Sequence, residues 1–420
     1  MNKILEDLKS RGMVSEVFGP IEENLKPGEY VYCGCDPTAD SLGVHHLLAF
    51  ITLKRLKEHG MKPIILIGGA TASLGDPSFK DKERDSIPME TIMHNCECIK
   101  AQLTKIVGDD VVFVNNYDWI SKFTFLDFMR DIGKKISVNY MMAKDSVKSR
   151  LAKEGSSLSF CEFSYSNIQA YDFVHLFEKY GCKVQIGGRD QTGNIDSSFV
   201  LSHKRNKFDG LSAFVWPLLT TSDGRKFGKS EGNSVWLDSK KTSVYAFYQY
   251  FINLPDADTE DLIKKFTLIP MNEIEDMIKK HRESPEKRFL QKELAKYMTC
   301  LVHSQEEYEK AVAASEILFG KSSREQLESI NEKTLLDAMH GVPTITIPFK
   351  ENLGIADIAI ECKELFSSKG DFRKLVKAGG VSVNKTKLND TNLLVTKDML
   401  LNNKYMLLQK GKKYSLAIFE

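Results

Sequence analysis

The first 234 residues of this 420-residue chain predict an α/β domain built on a doubly wound parallel sheet, and three features carry that prediction. Short runs rich in β-branched and aromatic residues alternate with longer stretches of helical periodicity. One run, Lys62 to Ala70, is apolar almost throughout, as a strand buried on both faces must be. Polar residues able to hold a ligand follow the runs repeatedly: Asp36, Thr38, Asp76 and Asp190. In open parallel sheets ligands bind beyond the carboxyl ends of the strands, which is where such residues would stand.

The elements follow in order. Glu29 to Cys35 is of strand length and D-P-T-A-D breaks it. From His45 the apolar positions Leu47, Phe50, Ile51 and Leu56 predict a helix, with Gly60 as its stop. Lys62 to Ala70 is the next strand, and Val111 to Asn116 and Val184 to Gly188 are further ones, separated by helices such as Phe163 to Lys179. Residues 235–340 change texture. Tyr245 to Gly320 is nearly all helical in pattern, with breaks at L-P-D and I-P-M. Residues 341–352, opening G-V-P-T-I-T-I-P, read as a linker into a small α+β unit over 353–420. That unit carries 12 Lys and Arg against 7 Asp and Glu, an excess hidden by the chain's formal charge of +1. Its stretch D-F-R-K-L-V-K-A-G-G-V-S-V predicts a basic helix, a glycine turn and a short strand. A solvated helix face would carry the same charge, so RNA binding needs other support.

Composition narrows the function classes. With 58 Lys and Arg against 57 Asp and Glu, no global charge points to DNA or to a membrane surface. No run approaches the roughly 20 apolar residues that span a bilayer, and the N-terminus lacks an apolar signal core, so the expected location is cytoplasmic. Eight cysteines are too sparse for a disulfide framework. The pairs Cys33/Cys35 and Cys96/Cys98 lack the spacing of zinc sites, so reduced thiols and no structural zinc are expected.

Two lysine-bearing loops suggest phosphate chemistry, which needs concentrated positive charge around the reacting phosphorus. One is T-T-S-D-G-R-K-F-G-K-S, residues 220–230, with Lys226 and Lys229 around Phe227-Gly228, and Ser230 beside them. The other, G-G-A-T-A-S-L-G-D-P-S-F-K-D-K-E-R, supplies Lys80, Lys82 and Arg84. Neither has the P-loop spacing, and either alone would pass for a surface turn. Tyr165, Gln169 and Asp172, at i, i+4 and i+7, share one helix face.

Across its length the chain resembles the bacterial-type tyrosyl-tRNA synthetases, a class I aminoacyl-tRNA synthetase family. The resemblance rests on Y-C-G-C-D-P-T-A-D-S-L, G-G-A-T-A-S-L-G-D-P-S, V-N-N-Y-D-W, V-N-Y-M-M-A-K-D-S-V, Q-A-Y-D-F, V-Q-I-G-G-R-D-Q-T-G-N and K-F-G-K-S. It implies a Rossmann-like catalytic domain, a helical anticodon-binding domain and a small RNA-binding module. It also implies the substrates ATP, with Mg²⁺, tyrosine and tRNA(Tyr), and a homodimer meeting near Phe125 to Tyr140. Asp172 and Tyr32 would bond the substrate phenol. Asp76, Tyr165 and Gln169 would hold its ammonium, with Gln185 and Gln191 at its carboxylate end. The nucleotide would meet Cys33, Gly34, Asp36, Gly43, His45, His46, Gly188, Asp190 and Lys226 to Lys229. Thr38, His46, Lys80, Arg84, Lys226, Lys229 and Ser230 would act on the phosphates.

The chain departs from the family at one place in particular. The tetrapeptide usually written His-Ile-Gly-His, whose first His faces the phosphates, is here Gly43-Val44-His45-His46. Cys35, Arg189 and Thr192 are further unusual choices nearby. Three readings stay open on the sequence: a tyrosine enzyme with a rearranged nucleotide grip, a paralogue with altered amino-acid or inhibitor specificity, and a catalytically impaired RNA-binding protein.

Overall fold

The structure is a computed structural model that describes residues 2–76, 78, 85–153, 157–222, 224, 227–230, 233–319, 324–339, 342–350, 352–411 and 413–420. For residues 229, 230, 233 and 319 it describes the backbone alone. The chain forms two compact units, Met1–Thr242 with Tyr250–Val302, and Ser243–Gln249 with His303–Glu420.

The first unit is built on a six-stranded sheet. Its strands are β1 (Glu16–Phe18), β2 (Tyr30–Cys35), β3 (Lys62–Ile67), β4 (Val112–Asn115), β5 (Val184–Gly188) and β6 (Ser212–Trp216), in the order β1-β6-β5-β2-β3-β4. All neighbours run parallel except β1, which is antiparallel to β6. The winding reverses between β2 and β5, so the crevice beyond their carboxyl ends is the switch point at which such sheets bind ligands. The predicted doubly wound α/β sheet is therefore present. Ile64, Ile65, Leu66 and Ile67 of β3 are buried, each such side chain worth roughly 1.5–3 kcal/mol relative to exposure. On one face, Tyr32, Ile64 and Leu66 pack with Ala170, Phe173, Val174 and Leu176 of the helix Phe160–Tyr180.

Two expected boundaries move for local reasons. The strand expected to run to Ala70 ends at Ile67, and Gly69–Leu74 is a helix. Asn115 Oδ1 accepts from Gly69 N at 3.2 Å and Asn116 Oδ1 from Ala70 N at 2.8 Å. Side chains at the end of β4 thus satisfy donors that a first helical turn leaves open. The helix expected from Phe163 starts at Phe160, because Ser159 and Glu162 form a capping box, and it stops at Gly181, whose φ is +69°. Before the helix Leu47–Glu58 lies one 3₁₀ turn, Val44–His46.

The helices Asp256–Phe266, Met271–Glu283 and Phe289–Val302 complete this unit, with breaks at the two expected prolines, Pro255 and Pro270. Two guanidiniums, each 3% exposed, tie them to the sheet region. Arg11 donates to Lys264 O and Ile269 O at 2.9 and 2.8 Å, and Arg55 donates to Thr267 O at 2.5 Å. Arg55 belongs to the helix Leu47–Glu58, so the segment after the histidine pair is anchored directly to the helical region. A short ladder, β7 (Lys229–Ser230) antiparallel to β8 (Asn233–Ser234), also lies in this unit.

The second unit holds the helices Gln305–Phe319, Arg324–Glu328 and Glu332–Ala338 and a five-stranded sheet. The strands are β9 (Thr344–Ile347), β10 (Val381–Val383), β11 (Thr386–Lys387), β12 (Tyr405–Lys410) and β13 (Lys413–Phe419). The basic helix Lys369–Lys377, the turn at Gly379 (φ +69°) and β10 follow one another as expected. The linker expectation is corrected: Thr344–Ile347 pairs parallel with β13. Its Thr-Ile alternation is itself a strand pattern, and Ile345 and Ile347 pack on the core of this unit. Among the described residues no helix is long and apolar enough to cross a membrane.

Candidate active site

At the deep end of the crevice stand Tyr32 and Asp172. Asp172, 2% exposed, accepts from Trp119 Nε1 at 2.9 Å and from Asn116 Nδ2 at 3.0 Å. Burial pushes its carboxyl up to about 7, and those two hydrogen bonds pull it partly back. Tyr32 is equally buried and its hydroxyl makes no hydrogen bond among the described residues. Burial first, and the Asp172 charge second, hold that phenol well above its ordinary range. Gln185 stands opposite Tyr32 in the β2–β5 register, and its Oε1 is also buried with no hydrogen-bond partner among the described residues. It is the residue expected near the carboxylate end of the substrate, and it stands low on β5 beside Tyr32.

A hydrogen-bonded chain runs from Asp172 toward the mouth. Asn116 Nδ2 also donates to Thr71 Oγ1 at 3.0 Å, Thr71 Oγ1 donates to Asp36 Oδ1 at 2.7 Å, and Tyr165 Oη donates to Asp36 Oδ2 at 3.0 Å. Beside it lies an amide cluster. Gln191 Nε2 donates to Asp76 Oδ2 at 3.0 Å and to Asp190 Oδ2 at 3.1 Å, while Gln191 Oε1 accepts from Gln169 Nε2 and from Asn194 Nδ2, both at 3.1 Å. Asn194 also donates to Gln169 Oε1 at 2.9 Å. The charges of Asp36, Asp76 and Asp172 all act on Tyr165, whose phenol burial and those acids hold far above its usual value. Three carboxylates around one buried phenol favour a cationic group.

Toward the carboxyl ends of β2 and β5 the site opens. Gly34 and Thr38 are exposed, Asp36 and Asp190 partly so, and Cys33 is buried, its thiol pushed up to about 12 by desolvation. A side chain at Gly188 would displace the Asp190 carboxylate, since its Cβ would fall 2.4 Å from Asp190 Oδ1. Arg189 is exposed, and Thr192 Oγ1 donates to its carbonyl at 2.9 Å.

The histidine segment and the lysine loop are joined by backbone. Gly43 bridges Trp236, Leu237 N donates to Leu42 O, Val44 N donates to Val235 O, and Val235 N donates to Gly228 O. Gly228 N donates to Tyr250 Oη at 2.9 Å, and the buried Phe227 ring packs against Tyr250 and Phe266. His46 Nδ1 accepts from Gly43 N at 3.1 Å, and the His45 and His46 rings lie with centroids 3.9 Å apart. Lys80, Arg84 and Lys226 lie outside the described residues, as do the side chains of Lys229 and Ser230.

The structure thus gathers Tyr32, Asp172 and Gln185 at one end, and Asp36, Asp76, Tyr165, Gln169, Asp190 and Gln191 around one connected network. The sequence reading gave no role to Thr71, Asn116, Trp119 or Asn194. Paired asparagines at the carboxyl end of a strand were the available signal, since that is where the sheet meets its ligand.

Two family models match this chain: "tRNA synthetases class I (W and Y)" over residues 28–320 and "Tyrosine--tRNA ligase SYY-like C-terminal domain" over residues 334–417. The tyrosine–tRNA ligase of Porphyromonas gingivalis is 47% identical over 99% of both chains, and that of Flavobacterium johnsoniae is 44% identical over 100% of this chain and 99% of its own. The chain belongs to the tyrosine–tRNA ligase family. Among solved structures of the family, a C-terminally truncated mitochondrial tyrosyl-tRNA synthetase of Aspergillus nidulans is 31% identical and superposes with a TM-score of 0.67. That match covers 76% of this chain and 95% of the other. This ATP-using ligase family has the class I fold, which the parallel sheet and helical middle of this chain match, and the small C-terminal α+β unit matches the family's C-terminal domain.

Proposed function

We propose that this chain activates tyrosine with ATP and transfers it to tRNA(Tyr). The observation that carries the reading is the Tyr32 hydroxyl, buried without a hydrogen-bond partner among the described residues beside the raised acid Asp172. An unsatisfied buried hydroxyl is costly, and a substrate phenol placed between Tyr32 and Asp172 would satisfy it. The substrate ammonium would sit among Asp76, Tyr165, Gln169 and Gln191, which aims the carboxylate at the nucleotide end.

There Cys33, Gly34, Asp36, Gly43, His45, His46, Gly188, Asp190, Phe227 and Gly228 would line the ATP site, with Asp190 on the ribose. Thr38, Lys80, Arg84, Lys226, Lys229 and Ser230 would contact the phosphates. Magnesium would arrive on the triphosphate, whose oxygens suit it. A tyrosine carboxylate oxygen attacks the α-phosphorus, the bond to the β-phosphate bridging oxygen breaks, and pyrophosphate leaves. A ribose hydroxyl of the terminal tRNA adenosine then attacks the adenylate carbonyl and releases AMP. Positioning and charge supply the catalysis, without a covalent enzyme intermediate.

The basic helix Lys369–Lys377 and its neighbours would bind tRNA phosphates, and the helices between residues 235 and 340 would read its exposed bases. The solvent-facing Phe125, Leu126, Met129, Val138 and Met142 would form the contact of a homodimer. A pocket that keeps Asp172 buried at a cost to its ionisation favours the working enzyme over an impaired RNA-binding protein. Tyrosine-dependent ATP–pyrophosphate exchange tests the reading; its absence at every magnesium concentration, with ATP and tyrosine present, would overturn it.

A further inference from the structure

The lysine loop, residues 220–230, is held at two backbone positions by side chains that come later in the chain. Ser222 N donates to Asp258 Oδ1 at 2.7 Å, and Gly228 N donates to Tyr250 Oη at 2.9 Å. All four residues belong to the first unit, and Lys226 lies between the two held donors in sequence. Asp258 is buried, and its other oxygen, Oδ2, has no hydrogen-bond partner among the described residues. Burying a carboxylate is costly unless it is bonded, and Asp258 bonds this loop. Beside Gly228 the Phe227 ring, 1% exposed, lies 5.7 Å from the Tyr250 ring and 5.4 Å from the Phe266 ring between centroids. Asp258 and Phe266 share the helix Asp256–Phe266, and Arg11 and Arg55 fix its far end through Lys264 O and Thr267 O. The support of the loop is therefore itself anchored.

We infer that Asp258 and Tyr250 are positioning residues of adenylate formation: by holding the loop backbone on either side of Lys226, they set where the lysines meet the departing pyrophosphate. This rests on the functional reading above and adds to it two residues that act through the loop rather than on a substrate. A flexible lysine side chain reaches its target only as well as its backbone is placed, and a displacement of about 1 Å far from the chemistry can cost about 100-fold in rate. The two bonds leave neither held N–H to compete for solvent. Gly228 is satisfied on both sides, since its carbonyl accepts from Val235 N at 3.0 Å, and its φ of +88° is one that glycine adopts without strain. Pyrophosphate has gone before the tRNA ribose attacks, so the loop has no charge there to stabilise in the second step. The two anchors thus serve the first step alone.

The test uses the full chain and reads the two steps apart: tyrosine-dependent ATP–pyrophosphate exchange for the first, and transfer to tRNA(Tyr) from enzyme isolated with its adenylate for the second. Asp258→Ala is expected to lower kcat of exchange at least about tenfold, with the tyrosine KM and the transfer rate each within about twofold of wild type. Asp258→Asn, which keeps an oxygen acceptor for Ser222 N, should retain more exchange than Asp258→Ala. Tyr250→Phe keeps the ring against Phe227, loses only the hydroxyl, and should lower exchange about threefold while sparing transfer. Unchanged exchange in Asp258→Ala, or exchange and transfer falling by equal factors, would overturn the inference and leave the tyrosine reading standing. If Asp258→Ala does not fold, the other two variants decide, and wild-type exchange in both would overturn it equally. Absence of exchange in the wild-type chain would instead remove the reading beneath it.

Discussion

Trp119 donates its indole N–H to Asp172 at 2.9 Å, and that bond opposes the burial that drives the same acid toward protonation. With its carboxyl pushed up to about 7, Asp172 is protonated below that pH and ionised above it. If the ionised form accepts the substrate phenol, kcat/KM for tyrosine should fall as pH drops through about 7, since that ratio reports groups of the free enzyme. Trp119→Phe removes a bond that lowers the pKa, so the acid limb should move to higher pH. A pH profile of kcat/KM checks it. An unmoved limb would mean that another group controls binding.

Tyr32 offers a sharper separation of folding from binding. Its hydroxyl makes no hydrogen bond among the described residues, so Tyr32→Phe removes a buried unsatisfied group and should leave the melting temperature unchanged or raise it. Tyrosine affinity should fall about tenfold, the equivalent of one hydrogen bond at roughly 1.4 kcal/mol. Calorimetric melting and equilibrium binding measured side by side would show both effects.

Arg55 ties the helix after the histidine pair to the end of the helix Asp256–Phe266. Its guanidinium donates to Thr267 O and lies 3.5 Å from Asp7 Oδ2; burial, with the charge of nearby Arg11 next, lowers its pKa to about 10. Relief of that repulsion in Arg55→Ala works against the loss, but the buried carbonyl is left without this donor. A net destabilisation of about 2–4 kcal/mol is expected in urea unfolding.

How much of this was legible in the sequence depends on whether a residue acts along the chain or across it. Tyr165, Gln169 and Asp172 declare their shared face by helical spacing alone, and β2, β3 and β5 announce themselves by apolar runs. Asn116 does not, because its work joins the end of β4 to the first turn of the helix Gly69–Leu74 and to Asp172, 56 residues away. Only the adjacency of β3 and β4 creates that role. In β9 the flanking prolines outweighed the Thr-Ile alternation, whose meaning appears only once β13 is there to pair with it.

Lys144 is a final case of a residue acting across the fold. Its amine donates to Ser166 Oγ at 2.7 Å and to Ser197 Oγ, so it ties the helix bearing Tyr165 and Gln169 to the helix Thr192–Asn206, which bears Asn194. Tyr140 lies below the ammonium, 5.3 Å from ring centroid to Nζ, and donates in turn to Asp196. Lys144 is thus a positioning residue for the amide cluster, and Lys144→Met should raise the tyrosine KM several-fold with little change in kcat. Burial lowers its pKa to about 8, against the pull of Asp196. Between about pH 8 and the ordinary lysine value near 10.4 the unfolded chain binds more protons than the folded one, so this group makes stability rise with pH across that window. Removing the amine should therefore flatten the alkaline side of the stability profile. A Lys144→Met profile parallel to wild type from pH 8 to 10 would show that the amine titrates alike in both states.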